Sequence, residues 1–399
     1  MTQRPYTILC LASYEKGDEL IRECKRQGCY VILVTIEKLK DAPLWPRDCI
    51  DEFFVMPDLA KQPNITYGIS YLARSRRIDC LIPLDEFDIE IAANLREHLR
   101  IPGMGDSTAR LFRDKLAMRV QARDAGILVP EFSAVVNYDT MREFMERVPP
   151  PWMLKPRTSA SAIGIKKIHE PDDLWRTLDE IGDEQSFKVL EQFIPGEIFH
   201  VDSVVSESEV VFANVQQYGS PPLEVMHEGG IFTSYGLSRG SADELALQAI
   251  NRDLIKAFRL VRGVTHAEFI KSHANGQCYF LETAARVGGA YIAEVVKAAR
   301  GINLWTEWAR VEIERENYVP PETSQHYAGI IISLARQDKP DTSAYNDAEI
   351  VFRLEKKHHA GLVVATTNPA KVKNLLEGYT ERFYQDFHAT APPPETPTA

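Results

Sequence analysis

The stretch Tyr279-Phe-Leu-Glu-Thr-Ala-Ala-Arg-Val-Gly-Gly289 carries a carboxylate, Glu282, on a short apolar run, and Arg286 follows four residues later. A second carboxylate, Glu268, lies on another apolar run, His266-Ala-Glu-Phe-Ile270. Short apolar runs of this kind predict β-strands. If the two strands form an antiparallel hairpin, both carboxylates lie side by side at one end of a sheet.

Two carboxylates that point to one place repel each other unless a cation lies between them. Mg2+ suits this arrangement, because it takes few carboxylates and completes its coordination with substrate phosphates. Mn2+ is the alternative ion. Arg286 would then face the same phosphates with its planar fork of donors. The competing interpretation is a pair of unrelated glutamates on the protein surface.

The composition is that of an ordinary globular enzyme. The 399 residues suffice for two or three domains with a large buried core. Hydrophobic residues make up 44% of the chain and charged residues 26%. The net charge of −11, without any stripe of Lys and Arg, argues against nucleic acid as a partner. Small molecules are the expected partners, and a homodimer is the expected assembly.

The sequence predicts a cytoplasmic protein that does not contact membranes. The N-terminal segment lacks the features of a signal peptide, and no apolar run approaches the ~20 residues that cross a bilayer. The six cysteines are scattered over apolar segments without a Cys-x-x-Cys pair, which indicates reduced thiols rather than a zinc site.

The first ~110 residues alternate short apolar runs with helical patterns, which predicts a parallel sheet covered on both faces. Strands are expected at residues 7–12, 30–35 and 80–83, and a return helix from Asp18 to Gly28. The first turn, residues 12–17, has no Gly-x-Gly-x-x-Gly, so NAD binding is not expected.

A phosphate-binding loop is indicated after residue 155. Lys155 ends an apolar strand and precedes a run of small residues that includes Ser159, Ser161 and Gly164. Such loops let backbone N–H groups and hydroxyls approach phosphates, and a lysine adds a point charge. Lys115, near the start of a helix, could reach the same phosphates. The competing interpretation is that Lys155 is a solvated residue at a strand end and Lys115 an ordinary helical charge.

The segment Val189 to Asp202 predicts a strand, a Pro-Gly turn and a second strand. Adenine could bond the backbone of Gln192, Phe193 and Ile194, while Glu191 accepts from its amine and Glu197 accepts from ribose. The competing interpretation is an ordinary hairpin whose turn carries a glutamate.

The order and spacing of these pieces resemble the ATP-grasp superfamily over roughly residues 5–310. The succession is Lys115, Lys155, Glu191, then Glu268 and Glu282 with Arg286. The pattern Glu-x-x-x-Arg-x-Gly-Gly, here ending in Gly288 and Gly289, is similar to that of carboxylate–amine ligases in the biotin-carboxylase-like and L-amino-acid-ligase-like group. The expected fold is therefore mixed α/β and α+β, with a nucleotide between two sheets.

The resemblance implies a division of the chain. Residues 1–110 would form a parallel pre-ATP-grasp domain, and residues 111–310 the ATP-grasp domain, with a small lid subdomain at about 130–200. Residues 311–390 would complete that domain as an α/β segment. Residues 391–399 are Pro-rich and are expected to be disordered.

The resemblance also assigns roles. Lys115 and Lys155 would bind ATP phosphates, Glu268 and Glu282 would bind magnesium, and Arg286 would stabilise an acyl phosphate and its tetrahedral successor. The residues predicted to line the adenine and ribose pocket are Glu191, Gln192, Phe193, Ile194 and Glu197. Two departures are visible: Ala284 replaces a metal-binding Asn found in many members, and the phosphate loop has only Gly164 as glycine.

Substrate contacts are the least specific predictions. Gly288, Gly289, Arg239 and the loop with His227 and Glu228 are expected near the substrate. No general base stands out; His227, Glu228 and His200 are the candidates.

The predicted function is an ATP-dependent carboxylate–amine ligase that forms an amide through an acyl phosphate. Two alternatives are open. One is a biotin-carboxylase-type enzyme that activates bicarbonate, and the other is an ATP-binding protein without turnover.

Overall fold

The computed structural model describes residues 4–160 and 163–390, and of residues 227 and 228 it describes the backbone only. The strands are β1 (Thr7–Ala12), β2 (Tyr30–Ile36), β3 (Glu52–Met56), β4 (Cys80–Pro83), β5 (Phe132–Ala134), β6 (Trp152–Pro156), β7 (Lys166–Ile168), β8 (Lys188–Gln192), β9 (Gly196–Ser206), β10 (Glu209–Tyr218), β11 (Phe232–Gly236), β12 (Gly263–Ser272), β13 (Cys278–Ala284), β14 (Tyr327–Leu334), β15 (Ile350–Arg353) and β16 (His359–Thr366). The helices are α1 (Asp18–Arg26), α2 (Asn64–Ala73), α3 (Ile89–Leu99), α4 (Asp106–Arg110), α5 (Lys115–Asp124), α6 (Tyr138–Arg147), α7 (Pro171–Ile181), α8 (Pro222–Glu224), α9 (Ala242–Phe258), α10 (Ile292–Arg300), α11 (Leu304–Glu314) and α12 (Pro369–Asp386).

The N-terminal sheet is parallel, with strand order β3-β2-β1-β4. Every side chain of β1 is buried, because helices cover both faces of the sheet. Ile8 and Cys10 pack towards α1 and α11, whereas Leu9 and Leu11 pack towards α2 and α3. The predicted parallel α/β sheet is confirmed, and strand β3 adds an edge that the sequence analysis did not identify.

The central sheet has eight antiparallel strands in the order β13-β12-β9-β10-β11-β14-β16-β15. On one face, Phe199 and Val201 of β9 pack against α5 and α9. On the other face, Val204 packs against α10 and α11. Strands β14 to β16, from the C-terminal part of the chain, extend this same sheet.

A smaller antiparallel sheet, β5-β8-β6-β7, lies between residues 132 and 192. One face packs on α6 and α7 through an apolar core that includes Trp152, Leu154 and Leu190. Side chains alternate between the faces of a strand, so Lys155 and Glu191 project from the other face. This sheet therefore presents its predicted ATP residues away from its own core.

The Pro195–Gly196 turn connects the small sheet to the central sheet. Strands β8 and β9 do not pair with each other, because β8 pairs with β5 and β6 while β9 pairs with β10 and β12. A Cβ atom on Gly196 would lie 2.3 Å from the carbonyl oxygen of Lys271, so this crossing requires glycine. The interpretation of residues 189–202 as an ordinary hairpin is wrong.

The described part of the chain agrees with the predicted mixed α/β class: one parallel sheet and two antiparallel sheets. No helix in residues 4–160 and 163–390 combines the length and apolar composition that a membrane span needs. The tail at 391–399 lies outside the described residues, and the domain boundaries stay predictions.

Candidate functional site

The two glutamates lie opposite each other on neighbouring strands. Strands β12 and β13 pair in antiparallel fashion with Glu268 directly across from Glu282, and a β-bulge follows Glu268. The side chain of Glu268 is 18% exposed and that of Glu282 is 33% exposed. Carboxylate oxygens are the donors that Mg2+ prefers, so this pair fits a divalent cation chemically.

Lys115 contacts one member of the pair, Glu282, directly. Its Nζ atom lies 2.6 Å from Oε2 of Glu282 and donates to the carbonyl oxygen of Ser159 at 2.7 Å. Lys115 is the first residue of α5, and the preceding Asp114 caps this helix by accepting from the backbone of Leu116 and Ala117. The cap fixes where the helix begins and so fixes the lysine beside the strand.

The start of the predicted phosphate loop is anchored to the residues at the start of α5. The backbone N–H of Lys115 donates to the carbonyl oxygen of Arg157 at 2.8 Å, and the Arg113 guanidinium donates to that of Thr158 at 2.7 Å. The Arg157 side chain returns to Asp114, with Nε donating at 2.9 Å. The loop therefore begins at a fixed point, next to Lys115.

Lys155 and Glu191 form a buried ion pair in the small sheet. Nζ of Lys155 lies 2.7 Å from Oε2 of Glu191, and Nη2 of Arg119 lies 2.9 Å from Oε1. Burial alone would raise the pKa of Glu191, but the two cations outweigh burial and lower it to about 2. Glu191 is fully buried and remains ionised between Lys155 and Arg119.

Arg286 is paired with a carboxylate from the N-terminal domain. Its Nη2 and Nε atoms donate to Oε2 of Glu86 at 2.9 and 3.2 Å, and Arg113 donates to the other oxygen at 2.5 Å. Burial opposes ionisation of Glu86, yet Arg286 and Arg113 lower its pKa to about 2. The contact joins residues 200 positions apart and ties the parallel sheet to the loop after β13.

Glu268 accepts from neighbours on the same face of the central sheet. The Tyr218 hydroxyl donates to Oε1 at 2.8 Å, and Nε2 of His266 lies 3.5 Å from the same oxygen. Burial would raise the pKa of Glu268, but His266 and Tyr218 lower it. The carboxylate is thus held ionised on a polar patch of the sheet.

The predicted adenine and ribose residues are more dispersed. The backbone N–H groups of Gln192 and Phe193 already donate to carbonyl oxygens of Glu131 and Pro151. Glu197 accepts from Gln217 at 2.9 Å and lines a cavity of about 640 Å³ bordered by α12. Because β9 alternates regularly, Glu197 projects from the opposite face to Glu268. The contacts of these residues, including Ile194, with a nucleotide stay predictions.

The predicted substrate residues are not gathered at one place. Arg239 donates to Gln325 and His326 and stacks on Tyr327 at 4.5 Å, which occupies its guanidinium elsewhere. His200 is fully buried, so it cannot reach a substrate as general base. Gly288 and Gly289 follow Arg286 and Val287 in the loop after β13.

Three predicted residues lie wholly or partly outside the described structure. Ser161 lies outside the described residues, and the side chains of His227 and Glu228 are also outside them. In the phosphate loop, Ser159 accepts from Lys115 through its backbone carbonyl, and Gly164 adopts a left-handed conformation with φ of 70°.

The sequence analysis missed Glu86, Tyr218 and Arg119. Glu86 had a usable signal, because it follows β4 at the carboxyl edge of a parallel sheet, where ligand-binding residues collect. Tyr218 and Arg119 had none, since a tyrosine at a strand end and an arginine within a helix are ordinary residues.

The sequence and the fold are similar to those of known proteins. Residues 148–294 match the family model of the ATP-grasp domain. The chain is 25% identical over 375 residues to the L-arginine-specific L-amino acid ligase of Bacillus subtilis, an alignment that covers 85% of this chain and 90% of that protein.

Solved structures share the fold over nearly the whole chain. An L-amino acid ligase from Bacillus licheniformis gives a TM-score of 0.74 at 16% identity, covering 97% of this chain and 99% of that one. The biotin carboxylase domain of the Hydrogenobacter thermophilus 2-oxoglutarate carboxylase, in complex with MgADP and bicarbonate, gives 0.73 at 16% identity, covering 97% and 91%.

The Glu86 ion pairs should make stability depend on acid pH. The pKa of Glu86 falls from 4.5 to about 2 on folding. A lowered pKa stabilises the fold fully above pH 4.5, and that contribution, roughly 3 kcal/mol, is lost as pH falls towards 2. In Glu86→Gln, the decline in unfolding free energy between pH 6 and 4 should be shallower than in the wild type.

Urea unfolding at pH 6, 5 and 4 measures the decline, and the wild-type protein at each pH is the reference. Parallel pH profiles for the two proteins would show that Glu86 is not the ionised partner of Arg286 and Arg113.

Proposed function

We propose that this chain, an ATP-grasp enzyme of the carboxylate–amine ligase group, activates a carboxylate with ATP through an acyl phosphate and joins it to an amine. The observation that supports this most is the cluster around Glu282. Glu268 lies directly across the hairpin, Lys115 lies 2.6 Å away, and Arg286 lies in the loop that follows the strand of Glu282. Two carboxylates and two cations in one place suit the binding of a metal–triphosphate complex.

A carboxylate does not acylate amines in water, because the leaving group would be oxide. One of its oxygens attacks the γ-phosphorus of ATP, the bond to the β-phosphate oxygen breaks, and ADP leaves. The amine nitrogen then attacks the acyl carbon, and inorganic phosphate leaves with the nitrogen's proton. The products are an amide, ADP and phosphate.

The cations in the site would serve the phosphates. Lys115 and Lys155, at the mouth of the small-residue loop, would bind and orient the triphosphate. Bound Mg2+, held by Glu268 and Glu282, would supply charge neutralisation for the transferring phosphoryl group. The main task of the protein in phosphoryl transfer is to position the reacting groups, and much of the catalysis comes from this positioning.

Arg286 would stabilise the reacting acyl group. Its planar fork can donate to two oxygens at once, as the acyl phosphate and the tetrahedral species that follows require. Glu86 holds this guanidinium at 2.9 Å and keeps it at the junction of the N-terminal sheet and the central sheet. The adenosine part would contact the segment from Glu191 to Ile194, whereas Glu197, on the opposite face of the central sheet to Glu268, is not assigned to the nucleotide.

Amino acids are the proposed substrates on both sides of the bond. The similarity to an L-arginine-specific L-amino acid ligase extends over 85% of this chain. The natural pair of amino acids is to be found by experiment, with L-arginine in the first set.

The purified full-length protein, given ATP and Mg2+, should release ADP and phosphate only when an acid and an amine are both present. Pairs drawn from the proteinogenic amino acids form the screen, with phosphate release as the readout and mass spectrometry identifying the amide. Omitting each substrate in turn is the control.

Two results would contradict the proposal. Phosphate release that requires bicarbonate but no amine would indicate a biotin-carboxylase-type activity. Tight ATP binding without phosphate release across the whole panel would indicate a nucleotide-binding protein without turnover.

Glu282→Ala should lower turnover at least ~10²-fold, because charge stabilisation by a metal ion contributes several kcal/mol to phosphoryl transfer. Steady-state phosphate release with the best substrate pair measures the effect. Glu184→Ala, which removes an exposed glutamate from the small sheet's periphery, should retain full turnover. Full activity in Glu282→Ala would show that Glu282 is not a ligand of the catalytic metal ion.

Arg286→Lys should lower turnover by about 10- to 100-fold, since a point charge cannot replace a bidentate fork worth ~1.5–3 kcal/mol. Arg310 provides a control, because its guanidinium is also held by carboxylates, those of Glu307 and Glu314, but on α11. Arg310→Lys should leave kcat and KM unchanged. Unchanged kinetics in Arg286→Lys would place Arg286 outside the reacting centre.

A further inference from the structure

Three polar side chains lie behind Glu268 on the same face of the central sheet. His200 is directly across from Glu268, and Asp202 is directly across from His266, in the pairing of β9 with β12. His200 and Asp202 are fully buried and His266 is 9% exposed. Buried polar groups cost free energy unless they are hydrogen-bonded, so their partners are informative.

Asp202 holds both histidines. Its Oδ2 atom is 2.7 Å from Nδ1 of His200, and its Oδ1 atom is 2.8 Å from Nδ1 of His266. The far nitrogen of His266 faces Tyr218 at 3.3 Å and Glu268 at 3.5 Å. A continuous chain of contacts therefore runs from the buried aspartate through an imidazole to Glu268.

The other end of this chain of contacts, at His200, is also held by hydrogen bonding and packing. Nε2 of His200 lies 2.8 Å from the Ser234 hydroxyl on β11. The Tyr218 ring packs over His200 with 4.6 Å between ring centres. The chain thus spans four neighbouring strands, β12, β9, β10 and β11, and fixes the rotamers of both histidines.

His200, Asp202 and His266 have the donor atoms of a metal site, all within 4.8 Å of one another. Both nitrogens of each imidazole already contact polar side chains of the protein. A metal ion would have to replace the two short contacts that hold Asp202. The arrangement is better explained as a hydrogen-bonded support for Glu268 than as a second metal site.

We propose that Tyr218 and His266, held from behind by Asp202, are positioning residues that fix the Glu268 carboxylate for a divalent cation. The inference rests on the proposed function. A free glutamate side chain loses rotamer entropy when it is fixed, and here Tyr218 and His266 have fixed it in advance. Such supporting contacts to a metal ligand typically change metal affinity by about 10- to 100-fold when they are removed.

The same aspartate supports the loop that carries Arg286. A Cβ atom at Gly288 would lie 2.9 Å from Oδ1 of Asp202 and 3.0 Å from Nδ1 of His266. The added carbon would also lie 3.1 Å from Cβ of Ile292, so Asp202 and His266 would have to shift to accommodate it. Gly288 therefore packs directly against the Asp202–His266 contact. The same contact supports both Glu268 and the loop that carries Arg286.

The test is Mn2+ binding in the presence of ADP, measured on the full-length protein by the electron paramagnetic resonance signal of free Mn2+. Tyr218→Phe keeps the ring and removes only the hydroxyl that donates to Glu268. It should raise the Mn2+ dissociation constant by about 10-fold or more. This measurement needs neither turnover nor a known substrate.

Tyr345→Phe is the matched control. Its hydroxyl donates to Oδ2 of Asp386 at 2.9 Å, so the same kind of bond is lost near α12, away from the cluster. Both variants should lose similar thermal stability, but only Tyr218→Phe should lose Mn2+ affinity. Equal Mn2+ affinity in Tyr218→Phe and wild type, or equal losses in both variants, would overturn the inference.

Gly288→Ala tests the shared support from the loop side without removing a polar atom. It should weaken Mn2+ binding by about 10-fold, whereas Gly378→Ala, a helical glycine whose Cβ would meet no atom within 4 Å, should not. Wild-type affinity in Gly288→Ala would refute the link to the Arg286 loop. If the wild-type protein bound no Mn2+ in the presence of ADP, the proposed function would be contradicted as well. If the wild-type protein bound Mn2+ and Tyr218→Phe bound it equally well, only the inference would be contradicted.

Discussion

The contact on which the site depends is the ion pair between Arg286 and Glu86. It joins the loop after β13 to the carboxyl edge of the N-terminal sheet, across 200 positions of sequence. Arg113 shares the same carboxylate and also holds the start of the phosphate loop at Thr158. Breaking a buried pair by removing one partner costs several kcal/mol, so the relative position of the sheets and the loop is strongly fixed at this point.

The cations that should meet phosphates are each paired with a carboxylate of the chain itself. Lys115 contacts Glu282, Lys155 contacts Glu191, and Arg286 contacts Glu86. The pairs differ in burial. Glu191 is fully buried and also paired with Arg119, whereas Glu282 is one-third exposed. If Lys155 turned to a phosphate, as proposed, Arg119 would still pair with Glu191. A cation bound at Glu282 would likewise free Lys115.

The two faces of the central sheet have different roles, because side chains alternate along each strand. On one face, β9 contributes His200 and Asp202 to the polar chain behind Glu268. On the other face, the alternate residues Phe199 and Val201 fill an apolar core with α5 and α9. Since α5 also begins with Lys115, the core that stabilises the sheet sets the position of a lysine in the site.

The sequence by itself determined the local elements and the main charged residues. The apolar runs predicted β1, β2, β4 and β12, because burial on both faces of a sheet demands them, and a shorter run predicted the half-buried β13. The spacing of Lys115, Lys155, Glu268, Glu282 and Arg286 was readable directly. The tertiary structure alone decided that Glu86 holds Arg286, that Tyr218 supports Glu268, and that Glu197 projects from the opposite face. These facts depend on strand register and on contacts between distant segments, and local patterns of hydrophobicity and charge do not encode either one.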